Sequence, residues 1–535
     1  MRSDVGLTPV ARFGAGVLLA AATACSPTSP SSAVVAASGS GTPARVPRPL
    51  AAGESNIERA DYVGPEACGE CHAPQYAAWT TSLHRVMNAN AEDPKAVIAN
   101  FSGAVLRYAG GEAHFDRSLT GYVMTVRAGE RETRYRITRT IGKAHLQEYV
   151  GIEEPKNPNA HGREARGNEV RLPFGWWPRY GGWAAQPFFD PWLDEAQFDA
   201  YAPVREPWAE RCPWCHSTYP FAQRIARASG PRAVGHGFEQ YFTSHAGSER
   251  LAVDEQVTTG ISCESCHLGG RAHADGAAID FLPHGASVRD DAPVWPATFG
   301  EQRKDASVVN GVCAQCHSGP SPRLADGTAL RNSSEALDLA ASSCKAKCTD
   351  CHDPHRGSID EAKSIAACVG CHATQAQPTH AGKGHDTTSC LDCHMPRIVM
   401  GLDHYVRSHR ISSPTNPQLL ADAVPNACNL CHLDRTIDWT LTELRAGWDE
   451  KLAIRTEAYG DNNVGDVWLA SKTAAIRLIA MQAYARSPLG QFVRTQIAHG
   501  LDDPQAYVRA WAKLSLDMLN AARSSPSHAP RPPSR

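Results

Sequence analysis

CTDCHDPHRGSIDEAKSIAACVGCHATQAQPTHAGKGHDTTSCLDCH, residues 348–394, repeats one short pattern three times: Cys348-Thr-Asp-Cys351-His352, Cys368-Val-Gly-Cys371-His372 and Cys390-Leu-Asp-Cys393-His394. Upstream the pattern recurs as Cys68-Gly-Glu-Cys71-His72, Cys212-Pro-Trp-Cys215-His216, Cys263-Glu-Ser-Cys266-His267 and Cys313-Ala-Gln-Cys316-His317, and downstream as Cys428-Asn-Leu-Cys431-His432. These eight copies take 16 of the chain's 18 cysteines. At this chain's own Cys and His frequencies, roughly 0.03 matches to C-x-x-C-H would arise by chance.

The spacing carries a chemical meaning. Two thiols three positions apart on one helical turn can both form thioethers to the vinyl groups of a haem, and the adjacent imidazole then projects onto the iron. A disulfide framework needs no such histidine, and zinc knuckles do not require one directly after every pair. The sequence therefore predicts eight covalently attached haems c, each held by one cysteine pair, with the eight following histidines as proximal iron ligands.

The other axial position decides what such irons can do. A closed six-coordinate iron only changes oxidation state, whereas an open one can bind and reduce a substrate. Of 23 histidines, eight are proximal; His528 falls in a Pro/Ser tail and His499 in a C-terminal helix. Thirteen remain for eight distal positions, so complete bis-His ligation is attainable but not forced. His380 and His385, just ahead of the seventh motif, are candidates, with His145, His236 and His245 behind them. For His114, His161, His284 and His404 the default is a solvated loop. Met87, Met124, Met395 and Met400 read as packing residues.

CGECHAPQYAAWTTSLHRVM (68–87), TGISCESCHLGGRAH (259–273), CTDCHDPH (348–355), CLDCHMPR (390–397), RSHRISSP (407–414) and NACNLCHLDRTIDW (426–439) resemble multihaem c-type cytochromes related to the cytochrome c554 group and the tetratricopeptide-associated multihaem cytochromes. The resemblance spans most of residues 60–440 and implies His84, His273, His355 and His409 as distal ligands to neighbouring haems. Where the family commonly has Gly-Pro-Gly after the third motif, this chain has Leu268-Gly269-Gly270. Nitrite-reducing relatives often carry C-x-x-C-K at a catalytic haem, and none occurs here.

Organisation follows from the gaps between proximal histidines, which are 144, 51, 50, 35, 20, 22 and 38 residues. Residues 61–440 are expected as an octahaem domain whose porphyrins form much of the core, mainly α with much irregular structure. Alternating runs at Tyr122–Val126 and Arg134–Thr138, with turns at Gly110-Gly111 and Arg127–Glu130, predict a small antiparallel β insertion at about 101–150. Pro173–Trp192, rich in Trp, Gly and Pro, reads as a loop whose rings pack on haem faces, or alternatively as an aromatic lip for a partner. Residues 441–523 turn helical, and Leu501-Asp-Asp-Pro504 with Val508-Arg509 suggests a HEAT-like cap docked on the cytochrome part. Residues 524–535 read as a disordered tail. Cys344, unpaired and just ahead of the fifth motif, could ligate iron but is expected as a buried or reduced thiol.

At the N-terminus, Arg2 and Arg12 flank a short apolar run ending in Ala22-Thr23-Ala24-Cys25, which reads as an export signal over 1–25. The same residues resemble a lipobox, giving a possible lipid anchor at Cys25. Residues 26–60, rich in Ser, Pro, Ala and Gly, are expected as a flexible linker. In a chain of 535 residues, a net charge of −3 and a mean hydropathy of −0.37 offer no basic field for nucleic acid and no polytopic membrane domain. The expected function is a periplasmic or cell-surface eight-haem relay between redox partner proteins, with no catalytic residue assigned. The alternatives are a reductase or oxidase of small nitrogen or sulfur compounds with one open haem, and a structural or filamentous surface cytochrome.

Overall fold

The structure is a computed structural model and describes residues 47–51, 53–119, 121–155, 168–185, 199–202, 207–223, 255–285, 298–382, 384–386, 388–503 and 505–524. The export signal with Cys25, linker residues 26–46, His161, His236, His245, and the tail from 525 lie outside them. No helix among the described residues is long and apolar enough to cross a membrane.

The β insertion is larger than its alternating runs announce. Strands β1 (Asn88–Asn90), β2 (Ala104–Tyr108), β3 (Gly111–Ser118), β4 (Gly121–Ala128), β5 (Arg131–Ile141), β6 (Glu148–Glu153) and β7 (Val170–Arg171) form one antiparallel sheet in the order β2-β3-β4-β5-β6-β7, with β1 on β5. The turns fall where sequence places them, at Gly110 (φ 88°) and Gly129 (φ 59°), residues free to take the left-handed backbone a tight hairpin needs. The 11-residue β5 pairs with three strands, β4 and β1 along one edge and β6 along the other, and a register shift between Ile137 and Arg139 on its β6 side marks a bulge. The sheet thus runs from Asn88 to Arg171, beyond the expected 101–150, because β1, β6 and β7 are short pieces that no period could reveal.

The described part of the aromatic stretch after it, residues 173–185, is a hairpin and not a loop, and 186–192 lie outside the described residues. β8 (Phe174–Trp177) pairs with β9 (Gly182–Ala185), and Phe174, Trp177 and Trp183 are buried. Trp183 stacks on Phe115 with ring centres 3.6 Å apart and planes 5° from parallel, while Phe101 meets Trp183 edge-on. These rings fill the protein's own core.

The C-terminal helices complete that core. Ala474–Arg486 is apolar nearly all round and correspondingly buried, and Ala506–Ser524 crosses it, Gln482 Nε2 donating to Ser515 Oγ at 3.0 Å. Trp511 meets Trp177 edge-on at 6.0 Å and lies against Tyr405 at 5.1 Å, and Arg509 donates to the Arg107 carbonyl of β2. The helical segment therefore packs on the sheet and also on the eighth motif, where the Val464 and Gly465 amides donate to the Arg435 and Leu433 carbonyls at 2.8 and 3.0 Å and Cys428 and Leu430 join the same core. One hydrophobic cluster runs from Ala91 to Leu519, and the described residues from Pro47 onward fall in one compact unit.

The expected linker also ends earlier than residue 60. Arg48 bridges to Ala277 and pairs with Glu54, and Asn56 and Ile57 are buried, the Asn56 amide donating to the Leu282 carbonyl at 2.9 Å. From Pro47 the chain meets backbone partners along 276–284, which hold it whatever its composition.

Candidate functional site

Each motif closes one helical turn. The histidine N–H donates to the carbonyl of the first cysteine at His72 (2.9 Å), His267 (2.9 Å), His317 (3.1 Å), His372 (2.8 Å) and His432 (3.0 Å), and likewise at His352. Capping residues set where these turns begin: Asp305 ahead of Ala306–Ala314, Asp360 ahead of Glu361–Cys371, and Ser389 ahead of Cys390–His394. His72 and His372 end their helices in nearly the same backbone conformation, φ −109°, ψ 46° and φ −111°, ψ 46°. All sixteen motif cysteines and Cys344 are free thiols.

Across from these turns the fold brings second imidazoles. A transition metal holds an imidazole nitrogen at about 2.0 Å, and with about 1.1 Å more to each ring centre, two axial rings face each other at about 6.2 Å. His72 and His273 are 6.0 Å apart, His267 and His355 6.5 Å, His352 and His409 6.2 Å, His394 and His380 6.1 Å, and His432 and His385 6.1 Å. His84, half-buried, feels the charge of His317 but makes no ring contact with it. The structure thus sets His273, His355, His380, His385 and His409 each against a different proximal histidine. For His216, His317 and His372 no second imidazole lies in ring contact among the described residues; His216 instead sits beside the Trp208 ring at 5.8 Å.

The surroundings suit ligation. His273 Nδ1 lies 2.8 Å from the Ala277 carbonyl and His394 Nδ1 2.9 Å from that of Ser412, while His317 Nδ1 faces Glu335 at 3.1 Å. Such contacts fix the ring and its tautomer and leave Nε2 for a metal. Burial pushes His84, His216, His267, His352, His409 and His432 below the ordinary imidazole value, His216 and His267 to about 4. At neutral pH these rings are uncharged, the form iron binds.

The motifs also adjoin one another. Cys68 lies beside Cys263 and Cys313 beside Cys348, and this pairing together with burial pushes the Cys68 and Cys313 thiols up. Cys313 also feels Cys266; burial followed by Cys351 and Cys390 raises Cys368; burial followed by Cys393 raises Cys428 to about 11. The second and fourth motifs touch through Cys215 Sγ on the Gln315 carbonyl and Cys316 Sγ on that of Trp214, both at 4.0 Å. The sulfurs thus link the motifs in the order one, three, four, five, six, seven, eight, with two beside four. Paired thiols, mostly neutral imidazoles and axial spacing at five histidine pairs together fit thioether-linked haems.

Other candidate residues are engaged elsewhere. His114 Nε2 contacts Glu112 at 2.8 Å, and His284 Nε2 contacts Asp280 at 2.7 Å. His145 and His404 converge on Asp403. Met124 and Met400 are fully buried in the main core, and Met87 packs against Ile141, Val150 and Trp208. Leu268, where the family commonly has Gly, holds φ 56°, a left-handed conformation unusual for a branched side chain, and its burial in the Ile57–Phe221 cluster offsets the strain.

One organising residue had no sequence signal. Glu264, inside the third motif and 2 % exposed, accepts from the amides of Val63 (2.9 Å), Gly64 (2.8 Å) and Gly270 (2.9 Å). It ties the loop carrying His273 to the entry of the first motif helix, which places His273 opposite His72.

The sequence matches no known family profile and no curated protein. Two solved structures are similar: the outer cell wall cytochrome OcwA, 15% identical, covering 87% of this chain and 99% of that one at TM-score 0.38, and the Wolinella succinogenes octaheme sulfite reductase MccA in form II, 12% identical, covering 89% and 86% at TM-score 0.33. Both likenesses are too loose to carry anything about this chain's activity.

Proposed function

We propose that the chain is an eight-haem c-type cytochrome that relays electrons between redox partner proteins through closely spaced, mostly bis-His irons. The observation that carries this reading is the set of five imidazole pairs at 6.0–6.5 Å, each joining a motif histidine to one outside the motifs. When bound, haem supplies reversible one-electron storage. The cysteine pairs tether it, the facing imidazoles close both axial positions, and buried Glu264 and the Nδ1 contacts hold those imidazoles in place. Adjacency of the motif sulfurs supports transfer along the chain rather than at isolated centres. The short apolar N-terminal run supports export, with the periplasm or cell surface as location and Cys25 as a lipid attachment point.

A second reading, a reductase or oxidase with an open haem, is favoured by His216, His317 and His372, which have no second imidazole in ring contact among the described residues. One experiment separates the two. Intact mass should exceed the processed polypeptide by eight haems, and paramagnetic resonance of the oxidised protein should show eight low-spin irons, with no carbon monoxide bound after reduction. Four or fewer haems would sink both readings. A stoichiometric high-spin signal with one carbon monoxide per chain would replace the relay by the enzyme.

A further inference from the structure

Outside the haem motifs, two separate segments bring His145, Asp403 and His404 together, and a third brings Arg179 near them. His145 comes from the connection between β5 and β6. Asp403 and His404 come from the turn between the short strands Val399–Met400 and Tyr405–Val406. Arg179 approaches from the β8–β9 turn. Asp403 Oδ1 lies 3.2 Å from His145 Nδ1 and 2.6 Å from His404 Nδ1.

Two features of the cluster call for a partner the protein itself does not provide. The Asp403 side chain is 0% exposed, yet its Oδ2 has no hydrogen bond, Arg179 Nη1 standing off at 3.7 Å. His145 Nδ1 is likewise buried without a hydrogen bond, its approach to Asp403 being out of line for an N–H donor. A buried carboxylate oxygen and a buried ring nitrogen left unsatisfied in one cluster cost free energy unless something cationic sits with them. The three ligand atoms lie within 4.8 Å of one another. Tetrahedral zinc, with ligands at about 2.0–2.1 Å, needs them about 3.3 Å apart, a small side-chain adjustment from here.

We propose that His145, Asp403 and His404 bind one zinc ion, with a fourth position open to water. Two nitrogens and one carboxylate are a poor set for calcium or magnesium, which want oxygen ligands, and suit a borderline ion such as zinc. Both imidazoles are partly exposed, at 38%, which gives the ion a way in. The bound ion fastens the β5–β6 connection to the 401–404 turn, clamping the sheet to the chain that follows the seventh motif. Its fourth position faces the same opening.

The test uses the full haem-loaded protein, treated with a chelator and then equilibrated with Zn²⁺, reading zinc and iron by mass spectrometry of the elements. The wild type should take up one zinc per eight irons and should melt at a higher temperature with zinc than without. His145→Gln and His404→Gln, both at partly exposed positions, should bind zinc at least about a hundredfold more weakly, with iron content and low-spin spectrum unchanged. Asp403→Asn should do the same. Equal zinc uptake by wild type and both histidine variants, or none by the wild type, overturns the proposal. So does a new high-spin iron in either histidine variant, which would make that residue an axial haem ligand. The iron count, read separately, tests the haem assignment on its own.

Discussion

Replacing His273 with Ala tests the axial geometry most directly. The His72 and His273 rings are 6.0 Å apart, within about 0.2 Å of the spacing two nitrogens on one iron impose. His273 lies on the short helix Arg271–Ala274, and its loss removes one contact to the protein, the 2.8 Å bond to the Ala277 carbonyl. That contact is worth about 1 kcal/mol, too little to unfold the chain. One iron in eight should therefore change from low to high spin and the reduced protein should bind one carbon monoxide more than wild type. Added imidazole should restore the low-spin signal by filling the space the side chain leaves. The matching control is His284→Ala, whose Nε2 is held 2.7 Å from Asp280 and is not free for iron; it should leave every iron as it was. A His273→Ala protein that keeps eight irons and an unaltered spectrum would refute the pairing, and with it the use of ring spacing to assign the other four.

Trp183→Ala removes a buried ring stacked on Phe115 at 3.6 Å and should cost about 3–5 kcal/mol, seen as a lower denaturant midpoint. Asp305→Ala should cost about 1 kcal/mol through loss of the cap on Ala306–Ala314, with Asn largely substituting. The Asp305 carboxyl is held below its ordinary range by the Ser307 hydroxyl against partial burial, so its charged form favours the folded state above that range and the contribution fades as pH falls through the lowered value; wild type and Asp305→Asn should converge in acid. Gly269→Ala would place a Cβ 2.5 Å from the Asp61 Cβ and 2.9 Å from the Asn56 carbonyl, and should cost about 1–3 kcal/mol with a lower melting temperature.

The motifs, the hairpin turns at Gly110 and Gly129, and the four strands from Ala104 to Ile141 were legible because each is a local pattern. A C-x-x-C-H turn needs only five residues, and a hairpin only its alternation and its glycine. What sequence could not show was which distant pieces meet. The Trp-rich stretch holds enough Gly and Pro to read as a loop, yet β8 and β9 pair because their rings find Phe101, Phe115 and Trp511 in segments far away. The helices after 440 have a buried face, but nothing in their period says that it meets the sheet as well as the flank of the eighth motif. His145 and His404 stand 259 residues apart in the chain and Glu264 hides among the variable positions of a motif, so neither the Asp403 cluster nor the three-amide anchor leaves a trace in one dimension.

The contact between Arg509 and the Arg107 carbonyl closes a loop of 402 residues, and the Trp177–Trp511 contact closes one nearly as long. The sheet is synthesised before seven of the eight motifs, and the 19-residue helix Ala506–Ser524 that covers its aromatic face comes last. Contacts this remote return nothing until the intervening chain is ordered, so they form late and the apolar face waits uncovered. Fourteen of the sixteen motif thiols lie between the sheet and that helix, so most of the motifs are synthesised while the face is still open to aggregation. The final helix acts as a latch, and the interval before it closes is when this protein is most exposed to quality control.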